Sequence, residues 1–363
     1  MLTFVISLFG ILITIFFVIG THEYAHFLVA RLLNIKILRF SIGFGKTIWH
    51  WHDKKGTEFV IALIPLGGYV KMLDEHEGKV PDAQLPFAFN RQPFYKKFLV
   101  VAAGPLTNLC CAFILYWIIF VVGFATILPI IDHIVPGSIA AHSGLKANQE
   151  IVRVNNKNTF NWMRVVVSLI TEAGNKNPIK LEVKNLADKK LETHYVDLSN
   201  WHIDGLTPNP LLSIGIVPDS KRMRQFIHQI QFGPVAAIPH AYHETIDLLY
   251  FNLVLVGKMI KGTISLQSLG GPITIFESAG SALSFGLLPF ISFLAFLSIA
   301  IGMINLLPIP GLDGGHLVIY FIEFIIRKPL PLAFLFALYR LGFGLVLFIL
   351  IHALINDLLR LSS

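Results

Sequence analysis

The chain has 363 residues, of which 54% are hydrophobic and only 14% are charged, against roughly 25% charged residues in an ordinary soluble domain. This composition excludes a disordered chain, which is poor in apolar residues. It argues against an ordinary cytosolic enzyme, because the apolar residues fall in long uncharged runs that are typical of membrane spans. The formal net charge is +7. Because the basic residues are not gathered into one arm, we interpret this excess as membrane topology rather than nucleic-acid binding.

Four long apolar stretches predict four transmembrane helices, because a helix needs about 20 apolar residues to cross a bilayer. We place these spans at residues 1–33, 98–125, 278–315 and 338–359. The first stretch has neither a basic region before it nor a small-residue cleavage site after it, so we interpret it as a retained helix rather than a signal peptide. Cys110 and Cys111 are adjacent in the second span, and we predict no disulfide between them.

Lysine and arginine residues set the expected orientation, because cytoplasmic loops carry an excess of both. Segment 34–97 is rich in them, and the connection 316–337 contains Arg327 and Lys328. Four spans place these two segments on one side of the membrane, which we assign to the cytoplasm. Both chain ends and residues 126–277 are then expected outside the cytoplasm.

The segments between the spans are predicted to fold as soluble structure. Within 34–97, the strand-like runs 59–64 and 68–72 predict a membrane-associated β-hairpin. Residues 126–215 mix strand and helix patterns and predict an inserted α+β domain. Residues 216–277 look helical, and their apolar run 248–256 is too short to span a bilayer. The expected fold class is therefore a polytopic α-helical membrane protein with a cytoplasmic-side hairpin and an extracytoplasmic α+β domain.

The strongest chemical signal is the motif His22-Glu23-Tyr24-Ala25-His26 in the first span. Residues four apart share one face of a helix, so both imidazoles can reach one zinc ion. The glutamate beside the first histidine is then placed to take a proton from the attacking water. Short motifs also match by chance, but ionisable residues inside a span are costly and usually functional. The motif therefore predicts a zinc site with Glu23 as its acid/base.

A catalytic zinc ion needs a third protein ligand if its fourth position is to stay open for water. Asp313 lies at the end of the third span. The first and third spans run in the same direction, so both deliver their C-terminal ends to the same half of the bilayer. His316 is a competing ligand, and the alternative for Asp313 is an ordinary position in a helix-end loop.

Several motifs spread over almost the whole chain resemble those of the site-2 proteases, which are membrane-embedded zinc metalloproteases. The resemblance is closest to the bacterial regulator-of-sigma-E protease branch. It rests on HEYAH at 22–26 and NLLPIPGLDGG at 305–315, together with SIGFG at 41–45, PLGGYVKM at 65–72 and AGPLTN at 103–108.

The resemblance implies that His22, His26 and Asp313 bind one Zn²⁺ ion and that Glu23 is the catalytic acid/base. It also implies a bacterial inner-membrane protease, with its active site in the cytoplasmic half of the bilayer and a role in stress response. The implied substrates are single-span membrane proteins, such as anti-sigma factors already cleaved outside, or remnant signal peptides. A nucleic-acid partner is not expected, and the sequence does not indicate an oligomeric state.

The resemblance further implies a set of residues that bind the substrate. An edge of the hairpin would hold the substrate as an added strand, and two asparagines would position it near the metal. An asparagine in a span is also common as helix-packing glue, and the hairpin could have a structural role alone, so both alternatives stay open. The implied substrate-binding residues are Asn108, Asn305, Gly67, Gly68, Tyr69 and Val70.

Residues 126–215 resemble a single PDZ domain, most clearly at Val135-Pro136-Gly137-Ser138 and Ser143-Gly144-Leu145. The family usually has Gly-Asp where this chain has Asn148-Gln149, which leaves peptide binding open. The resemblance suggests that the domain screens substrates by their size or trimmed terminus.

Two other classes of protein are alternatives to a protease. A membrane adaptor would carry a PDZ module and a structural zinc ion, and it would have no need of Glu23. A metal transporter would need polar residues along a continuous path, whereas the spans provide them at one depth only. We interpret the histidines of Trp49-His50-Trp51-His52 as part of a solvated hairpin and His352 as a packed residue of the fourth span.

Overall fold

The computed structural model describes residues 2–203, 209–219 and 227–362. The chain forms two compact units, one made of residues 1–116 and 271–363 and the other of residues 117–270. The described residues contain four helices that are long and apolar enough to cross a membrane. This confirms the four predicted apolar helices, which lie at Phe4–Leu32, Phe94–Val122, Leu287–Leu306 and Leu332–Leu361.

The elements follow one another in a mixed order of helices and short sheets. The first part of the chain contains α1 (Leu2–Leu32), β1 (Ile37–His52), β2 (Glu58–Met72), α2 (Phe94–Val122), β3 (Phe124–Ile127), β4 (Ile131–Ile134), α3 (Ile139–His142), β5 (Gln149–Val154), β6 (Lys157–Asn158) and α4 (Trp162–Glu172). The second part contains β7 (Ile179–Asn185), β8 (Leu191–Val196), α5 (Pro210–Ser213), β9 (Ile216–Pro218), β10 (Ile227–Ile230), α6 (Ala237–Ile260), α7 (Pro272–Phe285), α8 (Leu287–Leu306), α9 (Asp313–Ile326) and α10 (Leu332–Ser362).

The strands β1 and β2 are long and bent, and together they build a small antiparallel sheet. Residues 37–42 lie in its middle, because Ile42 is paired with Ile61 on one side and with Gly68 on the other. The predicted hairpin between 59–64 and 68–72 is therefore wrong, since these segments flank 37–42 instead of pairing with each other. The sequence obscured the middle strand because its chain bends at Gly43, which has a φ of 93° that favours glycine.

The sheet is attached to the C-terminal end of α1. Phe27 is buried, and its ring centroid lies 5.5 Å from that of Phe40 and 5.3 Å from that of Phe59. The Arg31 guanidinium forms an ion pair with Asp53 at the turn between β1 and β2. Burial acts to raise the pKa of Asp53, but hydrogen bonds from the Thr57 backbone N–H and from Arg31 hold that pKa below its usual value. The sheet is thus held beside the helix that carries the metal-ligand motif.

The predicted bounds of the third span are wrong. Residues 278–315 do not form one helix but belong to α7, α8 and the start of α9. Gly286, with a φ of 123°, separates α7 from α8. The turn 307–312 ends α8 because Pro308 and Pro310 cannot donate helical hydrogen bonds. Residues 316–326, the first half of the predicted connection 316–337, are helical as part of α9, and the helix predicted at 338–359 begins earlier, at Leu332.

The unit formed by residues 117–270 contains a four-stranded antiparallel sheet in the order β6-β5-β7-β8. Helix α4 packs on this sheet, and the core residues Ile151, Leu169 and Leu181 are at most 1% exposed. Strand β9 pairs with β4, so the predicted domain limit at residue 215 cuts off a strand of this unit. The segment predicted to be helical after it contains β10 and α6, and residues 220–226 of that segment lie outside the described residues.

A buried carboxylate ties α10 to the beginning of α7. Asp357 is 2% exposed, and its oxygens accept hydrogen bonds from the backbone N–H groups of Gly271 (2.9 Å), Ile273 (2.8 Å) and Thr274 (3.1 Å). The Thr274 hydroxyl donates a further hydrogen bond. Asp357 therefore caps the first turn of α7 from another helix, and this arrangement satisfies donors that an isolated helix would leave unpaired.

We expect Asp357→Ala to lower the free energy of unfolding by about 2 kcal/mol or more, because several buried donors lose their acceptor. Thermal unfolding of the detergent-solubilised protein measures this loss. Asp357→Asn retains one acceptor oxygen and should lie between the parent and the alanine variant. Glu277→Ala changes an exposed carboxylate on α7 and serves as the control. Equal melting temperatures for Asp357→Ala and Glu277→Ala would contradict the capping role.

Candidate active site

Three predicted ligands meet where α1 approaches the start of α9. His22 and His26 lie one turn apart on the same face of α1, and Asp313 is the first residue of α9. The His22 Nε2 and His26 Nε2 atoms are 3.2 Å apart. Asp313 Oδ2 lies 3.1 Å from His22 Nε2 and 3.4 Å from His26 Nε2. The three atoms thus form a nearly equilateral triangle.

The size of this triangle fits a zinc ion. Tetrahedral zinc with bonds of about 2.0–2.1 Å holds its ligand atoms roughly 3.3 Å apart, which agrees with all three separations. Asp313 Oδ2 is buried and has no hydrogen-bond donor of suitable geometry among the described residues, as expected for an oxygen that faces a cation. Among those residues, His22, His26 and Asp313 are the one group of three possible ligands whose atoms converge in this way.

Glu23 lies beside the sheet and close enough to the three ligands of this triangle to interact with them electrostatically. A Cβ atom placed on Gly68 would be 2.7 Å from Glu23 Cγ, so the strand 68–72 passes directly beside the glutamate. No donor among the described residues is hydrogen-bonded to the Glu23 carboxylate. The carboxylate is therefore available to a water molecule, and it lies near both the sheet edge and the ligand triangle.

A tight turn positions Asp313. Residues 307–312 fold back on the first turn of α9, and the Leu312 N–H donates to the Ile309 carbonyl at 3.1 Å. A Cβ atom on Gly314 would collide with the carbonyl oxygens of Leu306 and Leu307. The close approach of this turn therefore requires glycine immediately after the aspartate, which explains the Asp-Gly-Gly sequence in structural terms.

Helix α2 packs against the two imidazoles. The His26 Nδ1 atom is 2.7 Å from the Val100 carbonyl oxygen, and the His22 Nδ1 atom is 3.3 Å from Asn108 Nδ2. Between them, a Cβ atom on Gly104 would collide with the His26 ring. Sequence reasoning missed Val100 and Gly104. The spacing 100, 104, 108, which puts three residues on one helix face, was the signal that could have identified them.

The other predicted site residues lie around this centre. Asn305 is half-buried in the last turn of α8 and makes no hydrogen bond with described residues. Gly67, Gly68, Tyr69 and Val70 lie on the strand beside Glu23, and the Arg39 guanidinium donates to the Tyr69 hydroxyl at 3.3 Å.

The remaining histidines lie outside the ligand triangle. His316, the competing ligand, lies one turn along α9 from Asp313, and its Nδ1 atom is 3.3 Å from the Tyr339 hydroxyl. His50 and His52 lie on the opposite edge of the sheet, which residues 46–52 form.

Comparisons with known proteins agree with this chemistry. Residues 10–349 match peptidase family M50. The regulator of sigma E protease of Haemophilus influenzae is 30% identical over 444 aligned positions, covering 99% of this chain and 100% of that protein. Protease RseP of Yersinia pestis is 30% identical over 449 positions, covering 99% and 98%. A putative zinc metalloprotease of Vibrio cholerae is 29% identical over 452 positions, with the same coverage.

These alignments are longer than this chain's 363 residues, so the relatives carry residues that have no counterpart here. The match nevertheless includes the helices that bring the metal ligands together. With the family match over residues 10–349 and a ligand triangle of the size that zinc requires, the chain belongs to peptidase family M50 and is a zinc metalloprotease.

Proposed function

We propose that this chain hydrolyses peptide bonds within or near the transmembrane segment of single-span membrane proteins. One observation carries the proposal: the motif His22-Glu23-x-x-His26 lies inside a helix that is long and apolar enough to cross a membrane. Both histidines are less than 10% exposed. A hydrolytic centre at this position is suited to a substrate that enters from the bilayer rather than from water.

The proposed mechanism assigns one role to each polar side chain of the centre. His22, His26 and Asp313 would hold the ion. When bound, zinc supplies Lewis-acid activation of water and of the scissile carbonyl group. Glu23 orients the attacking water, accepts its proton and delivers that proton to the departing amine. The carboxylate is free of competing hydrogen bonds from described residues, which supports this role.

The sheet edge beside Glu23 supplies a way to present the substrate. A transmembrane helix hides its peptide bonds in internal hydrogen bonds, so it must unwind before hydrolysis. Residues 68–72 pair with 37–42 on one side, and no described strand pairs with their other side. An unwound substrate segment would add to this free edge as a further strand. Gly67, Gly68, Tyr69 and Val70 would then contact the substrate through their backbone.

The substrate class follows from the family resemblance and from the names of the relatives, several of which are regulators of sigma E. We assign to this chain single-span anti-sigma factors that have already been shortened outside the membrane, or remnant signal peptides. In this role Asn305, which has no hydrogen-bond partner among the described residues, would bind the substrate backbone near the metal.

The remaining parts of the proposal concern orientation. The basic residues of segment 34–97 support a cytoplasmic location for the sheet and an active site in the cytoplasmic half of the inner membrane. Residues 117–270 contain the four-stranded sheet and most of the segment that resembles a PDZ domain, and they would then lie outside the cytoplasm. There the unit would restrict access to substrates that have lost their bulky external domain.

Glu23→Gln should keep zinc and abolish cleavage, because the amide cannot accept the proton but leaves the three ligands in place. Cleavage of a reconstituted single-span substrate and zinc content by mass spectrometry measure the two effects. Glu172→Gln, a matched change on α4, should cleave at the parent rate. If Glu23→Gln cleaved as fast as the parent, the role of Glu23 as the acid/base would be refuted, whereas an adaptor would cleave the substrate in neither form.

Disulfide cross-linking tests the presentation of the substrate. In a Glu23→Gln chain that also carries Cys110→Ala and Cys111→Ala, we expect Tyr69→Cys to cross-link to cysteines placed near the scissile bond of the substrate. Trp49→Cys, on the opposite edge of the same sheet, should not cross-link there. Equal cross-linking from both edges, or from neither, would show that the strand beside Glu23 has only a structural role.

A further inference from the structure

The hydrogen bonding of Asn108 does not match its surroundings. Its side chain lies in the middle of α2 and is fully buried. The Oδ1 atom has no hydrogen-bond partner in the part of the chain that the structure describes, whereas Nδ2 points at His22 Nδ1 from 3.3 Å. A buried amide oxygen without a hydrogen-bond donor is costly. The arrangement therefore indicates that Asn108 Oδ1 pairs with a donor in the functional protein.

The donor for Asn108 Oδ1 follows from the tautomer that His22 must adopt to bind a metal ion. Its Nε2 atom faces His26 and Asp313 in the ligand triangle and must offer a lone pair to a metal ion. A neutral imidazole then carries its proton on Nδ1, which becomes a donor in need of an acceptor. A half-turn of the Asn108 carboxamide brings Oδ1 to this proton. This single rotation satisfies both the orphaned oxygen and the ring N–H.

The second histidine is held by the same helix in an equivalent way. His26 Nδ1 lies 2.7 Å from the Val100 carbonyl oxygen, which can only accept. Val100 and Asn108 are eight residues apart on one face of α2, and Gly104 midway between them has no side chain to push the rings away. Helix α2 thus offers one acceptor to each imidazole of the motif on α1.

The surroundings of Asn108 leave little room for a substrate. Besides being fully buried, it is covered by α8, where a Cβ atom on Gly302 would lie 3.2 Å from Asn108 Cβ. An extended peptide could reach the carboxamide only if α2 and α8 separated. Asn305 differs in this respect, because it is half-buried and its side chain makes no hydrogen bond with described residues.

We propose that Asn108 is a positioning residue for His22: its Oδ1 accepts the Nδ1 proton and so fixes the ring orientation in which Nε2 faces the metal. The role differs from the substrate contact that the family resemblance implies. It rests on the proposed zinc site, but not on the identity of any substrate. Groups that orient a metal-bound histidine in this way typically contribute 10- to 100-fold to metal affinity or activity.

The test measures zinc binding on the full-length protein in detergent, by competition with a chromogenic chelator. Asn108→Ala should weaken zinc binding roughly 10- to 100-fold. Asn108→Leu, which has the same branched shape and number of heavy atoms as asparagine but no acceptor, should weaken it at least as much. Asn108→Asp keeps an acceptor oxygen and should bind zinc within a few-fold of the parent. Asn252→Ala, which removes a buried asparagine from α6, is the matched control and should leave zinc affinity unchanged.

Parent-like zinc affinity in both Asn108→Ala and Asn108→Leu would overturn the proposal. An increase in KM with unchanged zinc affinity would also overturn it and assign Asn108 to substrate binding. A loss of affinity that Asn108→Asp fails to rescue would count against the hydrogen bond as well. A parent protein that binds zinc but cleaves no single-span substrate would defeat the proposed function and leave the positioning role intact.

Discussion

The structure depends on the convergence of two imidazoles and one carboxylate within a mostly apolar bundle. Ionisable side chains at membrane depth are expensive, and a buried carboxylate without donors is more so. Here the three ligand atoms lie 3.1–3.4 Å apart, so one divalent ion can replace the hydration that all three groups have lost. The residues around them are arranged to keep these atoms at that separation.

Each ligand is positioned by a different local device. The histidines are fixed by their spacing on α1 and by the face of α2 that contains Val100, Gly104 and Asn108. Asp313 is fixed by the proline-rich turn 307–312. The sheet is tied to α1 through buried aromatic rings and the Arg31–Asp53 ion pair. As a result, an edge that no described strand covers lies beside Glu23, so the carboxylate and the edge proposed to bind the substrate are held by the same helix.

Much of the helical framework could be predicted from sequence, because long apolar runs and the four-residue spacing of His22 and His26 are local signals. The approach of Asp313 to the two histidines was predictable, because the first and third spans run in the same direction across the membrane. The placement of 37–42 in the middle of the sheet was not, because register depends on pairing between distant residues and a bend at Gly43 hides the strand. The break at Gly286 was missed because a single glycine does not interrupt an apolar run. The contact of the Val100 carbonyl oxygen with His26 could not be predicted, because every residue has a backbone carbonyl group and the side chain gives no sign of it.

The capping of α7 by Asp357 has a mechanical consequence for the last helix. If α10 slid along its neighbour, the buried Asp357 carboxylate would lose its hydrogen-bond donors. A displacement of α10 that preserves these hydrogen bonds is therefore a rotation about the end that carries Asp357. Gly342, which packs against the Pro310 carbonyl, is fifteen residues away, or roughly 22 Å along the helix. A rotation of α10 about Asp357 would therefore displace Gly342, which borders the turn that holds Asp313, further than it displaces Asp357.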